Sequence, residues 1–406
     1  MTTRSDRSRL LLLTSALAAL AVGCGGSDSN ADEPVLDAAL ADGAPDTATT
    51  DGRDATPADT SDTSVVTGPW RDGVEVIGVG TAVGTGVLGP VYPMGLWASV
   101  DQVVVVGLAR ADFSWGGTTY PRGGFVLALD ASTGAVRWHR QVGDSVGAIT
   151  TVGEDLAIVG AFSRSISLPT TGAPIALTSK GLSDGVVAVL SKTGDFRWAR
   201  RYGSAAFDQG FAITSDGDAV IVAGAITGTA DLGEGCGSLQ AQIGGDDGDG
   251  HPAGVQDAVV LKYGAGGACP WGAAIGAPLV DDMAFGLTAI DGAVYVTGEA
   301  ARPVFLRTTS GAPDAELGGA ASKRPAPFLL RLDPDGKRAP SAWFVAGASP
   351  GGRGRSVAHR GSDVLWAFTT HSTAQLTHDA FPAVELAQGG HVVTLRGEAV
   401  DRKSVV

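Results

Sequence analysis

One recurring pattern constrains this chain more than any other feature: an apolar strand, a polar turn with glycine, a tryptophan-bearing strand, a strand ending in aspartate, and a valine-rich strand ending in glycine. The first clear copy is FVLALDASTGAVRW (Phe125 to Trp138) followed by TTVGEDLAIVG (Thr150 to Gly160). The second is VVAVLSKTGDFRW (Val186 to Trp198) with FAITSDGDAVIVAG (Phe211 to Gly224). The third is AVVLKYGAGGACPW (Ala258 to Trp271) with GLTAIDGAVYVTG (Gly286 to Gly298). The fourth is FLLRLDPDGKRAPSAW (Phe328 to Trp343) with the degenerate VAHRGSDVLWAF (Val357 to Phe368). From each tryptophan to the end of its unit the distance holds at 22, 26, 27 and 25 residues, while the stretches between units vary. Near-constant spacing marks the structural unit, and variable spacing marks loops gathered on one face.

Short strands joined by turns such as Asp130 to Gly134 and Ser215-Asp216-Gly217 describe a four-stranded antiparallel blade. One blade cannot cover both of its faces, so blades must stack around an axis. The 60 glycines suit turns and tight packing, and helix-period patterns are nearly absent. The expected fold is therefore all-β, a β-propeller of about five four-stranded blades, with six possible if one degenerate copy escapes recognition. A late half-copy, LWASVDQVVVVG (Leu96 to Gly107), stands near the start, and an early half-copy, HVVTLRGEAVDRKSVV (His391 to Val406), at the end. Pairing of these N- and C-terminal strands is expected to complete a blade, close the ring and hide two sheet edges.

The pattern resembles the SBBP type of bacterial β-propeller repeat. Gly203, Phe207-Asp208, Ala212, Asp216-Gly217, Val220 and Gly224 fall on its consensus, and Asp257 to Tyr263 matches its opening strand. The resemblance covers about four-fifths of the chain; it implies a fold and is silent about activity. Ala128 to Trp138 also looks like the tryptophan-docking repeat of quinoprotein propellers, a family that includes dehydrogenases and a lipoprotein of outer-membrane barrel assembly. That match occurs in one unit only.

Before the repeats, Arg4, Arg7 and Arg9 precede the apolar run Leu10 to Val22, which is too short for a stable membrane span and reads as a signal peptide over residues 1–23. Leu20-Ala21-Val22-Gly23-Cys24 resembles the lipobox of bacterial lipoproteins, although Val22 stands where Ala or Ser is commoner. The resemblance makes Cys24 a lipidation site and the membrane a partner through its acyl chains. An ordinary cleavable signal with a chance cysteine is the other reading. Residues 24–68 hold ten acidic residues against Arg53 alone, a net charge of −9, with almost no large apolar side chain. Such a segment is expected to be an extended, disordered tether, leaving 69–406 as the propeller. The propeller carries about −7, which argues against nucleic acid as a partner. Gly25-Gly26 after the anchor, by resemblance to enterobacterial sorting, favours the outer membrane, facing either the periplasm or the surface.

No catalytic set is visible: no nucleophile elbow, no zinc-protease helix and no phosphate-cradling loop. The six histidines, His139, His251, His359, His371, His378 and His391, lack ligand spacing. The acidic loop with Asp246, Asp247 and Asp249 offers oxygens to calcium, yet lacks the alternating register and closing glutamate of a calcium loop. A solvated loop is the preferred reading and a metal site its alternative. Asp281 and Asp282 are neighbours on an expected strand and so point to opposite faces, against joint acid–base work. Cys236 and Cys269 flank one long insertion and are a candidate disulfide, with two buried thiols as the alternative. The tryptophans Trp138, Trp198, Trp271 and Trp343 are expected to fill wedges between blades, and Arg197, Arg200 and Arg201 to form a solvated rim.

Anchor, tether and repeat array together predict a non-catalytic binding or scaffolding module without a cofactor. Its protein or glycan partner is expected on the loop face, at Leu168 to Ser183, Leu232 to Gln256 and Ala301 to Pro325. A quinoprotein-like or other propeller enzyme and an outer-membrane assembly lipoprotein are the alternative functions.

Overall fold

In the computed structural model, residues 91–403 are described, apart from 234, 242–254, 278–279, 310–316, 347–350, 379–380 and 397–398. Cys24, the signal and tether segments and the acidic residues Asp246, Asp247 and Asp249 lie outside the described residues. Every helix or strand among the described residues is a strand, so the chain is all-β as expected.

The first course runs β1 (Val91–Ala98), β2 (Gln102–Ala109), a small hairpin of β3 (Phe113–Trp115) and β4 (Thr118–Tyr120), then β5 (Gly123–Asp130) and β6 (Val136–Gln141). The four longer strands pair antiparallel in the order β1-β2-β5-β6. The same course repeats as β7 (Ser145–Val152), β8 (Asp155–Phe162), the hairpin β9 (Ser165–Leu168) and β10 (Ile175–Thr178), β11 (Asp184–Leu190) and β12 (Phe196–Tyr202). The third is β13 (Gln209–Asp216), β14 (Ala219–Thr227), the hairpin β15 (Thr229–Asp231) and β16 (Ser238–Gln240), β17 (Gln256–Tyr263) and β18 (Trp271–Gly276). The fourth is β19 (Met283–Ile290), β20 (Ala293–Thr308), β21 (Leu317–Leu332) and β22 (Arg338–Ala346); here β20 and β21 form the hairpin from their own prolonged ends. The fifth is β23 (Gly354–Arg360), β24 (Asp363–Thr370), the hairpin β25 (Ala374–His378) and β26 (Phe381–Leu386), β27 (Gly389–Arg396) and β28 (Ala399–Lys403). We number these meanders sheets 1 to 5.

Two expectations are corrected. The repeat read from the sequence is not one sheet: Phe125 to Trp138 is the outer half of sheet 1, and Thr150 to Gly160 lies in the inner half of sheet 2. The variable stretches therefore fall inside each sheet, between its second and third strands, where all five hairpins emerge. The chain ends also do not share a sheet among the described residues. Leu96 to Gly107 pairs onward with β5, and His391 onward pairs back with β24, so each half-copy completes a different sheet. The half-step offset between sequence unit and sheet makes both ends whole without joining them.

Each first strand carries a register shift near its start, at Pro93/Gly95, Val146/Ala148, Gly210/Ala212, Ala284/Gly286 and Gly354/Ser356. A bulge at a repeated position sharpens the local twist in the same place each time. The first strands pack consecutively, β1 on β7, β7 on β13, β13 on β19 and β19 on β23. The cores lie between sheets: Val104 and Val106 of sheet 1 cluster with Leu156 and Ile158 of sheet 2, and Trp343 and Val345 of sheet 4 with Trp366 and Phe368 of sheet 5. The second strands β8 and β14 are covered on both faces, which is why their valine-rich sequences do not alternate with polar residues.

Trp138, Trp198 and Trp271 fill wedges, each against the turn between the third and fourth strands of the following sheet, and Trp343 is buried in the core shared by sheets 4 and 5. Trp138 Nε1 donates to Lys192 O and Trp271 Nε1 to Pro334 O, both at 2.8 Å. Gly267 (φ +78°) allows the ring of Trp198 to approach so closely that a Cβ there would stand 2.8 Å from it.

Candidate functional site

An antiparallel sheet ends in a strand whose outward N–H and C=O groups need water or another strand. Two of the outer strands here are paired along their outer edge by the hairpin of the following sheet, and a third, β12, is met by one only at an isolated bridge past its end. β18 pairs with the far end of β20, Gly276 opposite Phe305 and Ala273 opposite Thr308. β22 pairs with β25, Trp343 opposite His378 and Ala346 opposite Gln375. Past the end of β12, Gly203 and Asp231 exchange both backbone hydrogen bonds, at 2.8 and 2.9 Å.

That last junction is fastened by charge. Arg201 donates to Asp184, whose carboxylate is fully buried, and to Asp231, each at 2.7 Å, and Lys180 reaches Asp231 at 2.6 Å. Arg200 donates to Gly266 O at 3.0 Å. The expectation of a solvated arginine rim is thus corrected for Arg200 and Arg201, which tie sheet 2 to sheet 3; Arg197 remains half-exposed beside Asp155. Cys236, in the turn of the β15–β16 hairpin, is disulfide-bonded to Cys269 ahead of β18, with Cα atoms 5.0 Å apart.

β6 breaks the rule. The β9–β10 hairpin of sheet 2 pairs only with itself, and no strand among the described residues lies against the outer edge of β6. The burial differs accordingly: all six residues of β18 are buried, whereas none of the six in β6 is. Trp138 is only partly buried, against 8%, 7% and 2% exposure for Trp198, Trp271 and Trp343. Where the hairpin fails to reach the edge, a cleft of about 590 Å³ opens between sheets 1 and 2, lined by Arg122, Gln141, Asp144, Arg164, Ser165 and Ser167 among others.

Gln141 closes one wall by donating to Arg122 O at 2.7 Å. Neither the Arg122 nor the Arg164 guanidinium has an ion pair among the described residues, whereas Arg137 and Arg140 on β6 itself are matched to Asp101, Asp130 and Asp195. Arg164 holds φ at +64°, a left-handed backbone that costs a non-glycine residue free energy. The cleft thus offers two arginines without an ion pair among the described residues, one exposed carboxylate, Asp144, and hydroxyl groups beside the outer edge of β6.

Other titratable groups serve the architecture. Asp208 accepts from the backbone N–H groups of Ser204 and Thr227 at 2.6 and 2.7 Å, and Asp282 accepts from those of Ala277 and Ala301 at 2.5 and 2.7 Å. These equivalent aspartates clasp the loop before the first strand to the end of the second. Burial raises both pKa values, that of Asp282 to about 8, although the hydrogen bonds pull the other way. Asp281, exposed beside it, accepts from Gln256 N at 2.9 Å. The two residues do diverge, as expected, but from the loop ahead of β19. Burial lowers the pKa of His139, whose ring packs on Tyr120 at 4.7 Å, and His391 bonds to Thr370. Among the described residues no His, Cys, Asp and Glu cluster is arranged to hold a metal ion. The clasping aspartates had a sequence signal, Asp immediately before β13 and β19 at 208 and 282; the uncovered edge had none, because it depends on where a hairpin lies.

No family model matches the chain, and no curated protein does. Among solved structures, the crystal structure of BamB from Moraxella catarrhalis aligns with 78% of this chain and 94% of that one, at 12% identity and a TM-score of 0.31.

Proposed function

We propose that the protein is a non-catalytic binding or scaffolding module, a five-bladed propeller held at the cell envelope by lipid on Cys24, which grips its partner at the edge of β6 and the adjoining cleft. The observation that carries the reading is the uncovered β6 edge, standing against covered equivalents later in the same chain. The consecutive packing of first strands supports a propeller. The sequence of residues 1–68 supports an outer-membrane anchor on a tether long enough to let the module search for its partner.

The test is site-specific photocrosslinking in the native envelope. A photoreactive residue at Gln141 or Ser167 is expected to give one discrete adduct, and one at Ser215, near the far end of β13, none. Identical patterns from all three positions, or no adduct from the cleft, would overturn the proposal. Mass spectrometry of the mature N-terminus checks the anchor: Cys24 is expected to carry acyl chains, and an N-terminus elsewhere refutes that part.

A further inference from the structure

The binding reading leaves the kind of partner open, and the molecule narrows it. Twice, at β18 and at β22, the fold finishes an outer edge by laying an antiparallel strand along it, donated by the next sheet. At β6 no strand among the described residues lies along the outer edge, where alternate residues of the strand face outward and His139 O already accepts from Arg140 Nη1 at 2.8 Å. Arg122 and Arg164 stand in the cleft beside that edge with no ion pair among the described residues and one carboxylate, Asp144, in the same lining, while the arginines on the strand are already matched. An extended segment would find backbone partners along β6 and unmatched positive charge at the end of the strand that adjoins Gln141.

We infer that the partner presents an extended acidic segment that adds to sheet 1 as a fifth strand, antiparallel to β6, with carboxylates on Arg122 and Arg164. This rests on the binding reading above. Backbone pairing supplies adhesion and the two arginines set direction and sign, since strand addition draws affinity from main-chain hydrogen bonds and selectivity from side chains. A basic segment would be repelled at the cleft. Arg164 holds its left-handed backbone at the base of the β9–β10 hairpin, where its carbonyl accepts from Ser179 N at 2.7 Å, and its exposed side chain lines the cleft.

The experiment uses the full chain with a synthetic extended peptide of about eight residues, alternating valine and glutamate, a length typical of strands. Controls are a valine–lysine peptide and the acidic peptide N-methylated at alternate positions. Hydrogen exchange of β6 amides and fluorescence anisotropy are read together. The acidic peptide is expected to slow exchange in β6 at least tenfold, the N-methylated peptide to lose that effect, and R122A/R164A to weaken binding about tenfold with unchanged thermal stability. Added salt is expected to weaken binding to the native protein more than to the double variant.

Equal binding of the lysine peptide, protection elsewhere than β6, or no binding at about 1 mM peptide each overturn the inference. So does strong protection of β6 in the free chain, whether from its own acidic residues or from edge-to-edge dimers seen by sedimentation. If crosslinking from Gln141 captures a partner while the acidic peptide leaves β6 unprotected, the binding reading stands and this inference alone falls.

Discussion

The disulfide between Cys236 and Cys269 gives the sharpest energetic test of how a hairpin covers a neighbouring edge. The bond joins residues 33 apart and fastens the turn of the β15–β16 hairpin to the approach to β18. Both cysteines are buried in a core shared by sheets 2 and 3, with Trp198, Tyr263, Leu232 and Leu239. Closing a loop of that length restricts the unfolded chain by about 4 kcal/mol, on the loop-entropy model. The paired substitution C236A/C269A removes this constraint while keeping small apolar groups at both sites. Urea unfolding followed by tryptophan fluorescence is expected to show a loss of about 3 to 4 kcal/mol. The loss should be uneven in space. With the hairpin released, amides around Gly203 and Asp231 should exchange faster than those of β17, whose own pairing is untouched. Stability within about 1 kcal/mol of the unaltered protein, or a uniform rise in exchange, would refute the argument that the covalent link holds this cover in place.

Asp282, with its pKa held near 8 by burial, keeps a proton that the unfolded chain has lost between about pH 4 and about pH 8. Stability is therefore expected to fall as pH rises through that window, and D282N, followed by urea titration across it, to flatten the slope in part, since Asp208 and Glu299 are shifted in the same direction. W343A, at a ring 2% exposed and packed at a tilt against His378 with centroids 4.2 Å apart, is expected to cost about 3 to 5 kcal/mol, and W138A, at the uncovered edge, less than about 2; equal losses would show that the edge of β6 is not open. G267A combines a left-handed backbone with a methyl group pressed on Trp198 and is expected to lose about 2 kcal/mol by thermal or urea unfolding, whereas G217A, equally left-handed but facing open space, should lose only about half as much.

Much of the fold was legible because it rests on local chemistry. Valine-rich runs covered on both faces, glycines at turns such as Gly194 and Gly267, and tryptophans at a fixed step from them identify strands and their order. What stayed hidden was phase. A repeat can be cut anywhere along its period, and the cut at the variable stretches, natural in a sequence, split every sheet in two. The placement of Leu96 to Gly107 and of His391 onward was misjudged for that reason alone. The site was legible only as a region. Leu168 to Ser183 is indeed a connection between second and third strands, yet whether such a hairpin reaches the preceding edge depends on long-range pairing such as Gly203 with Asp231, which no spacing announces. Arg201 misled for a related reason, since its two carboxylate partners come from 17 and 30 residues away, on two different sheets.

The half-step offset between unit and sheet has a consequence for how such a chain can change length. Excise one copy, from the start of a third strand to the end of the next sheet's second strand, and the two flanking remnants are an inner and an outer half that fit each other. Duplicate a copy and the insert likewise finds complementary halves on both sides. Either event leaves no orphaned strand and sets each tryptophan against the equivalent turn of whichever copy follows, so the number of sheets is adjustable by whole-unit recombination without any stage at which a meander is left incomplete.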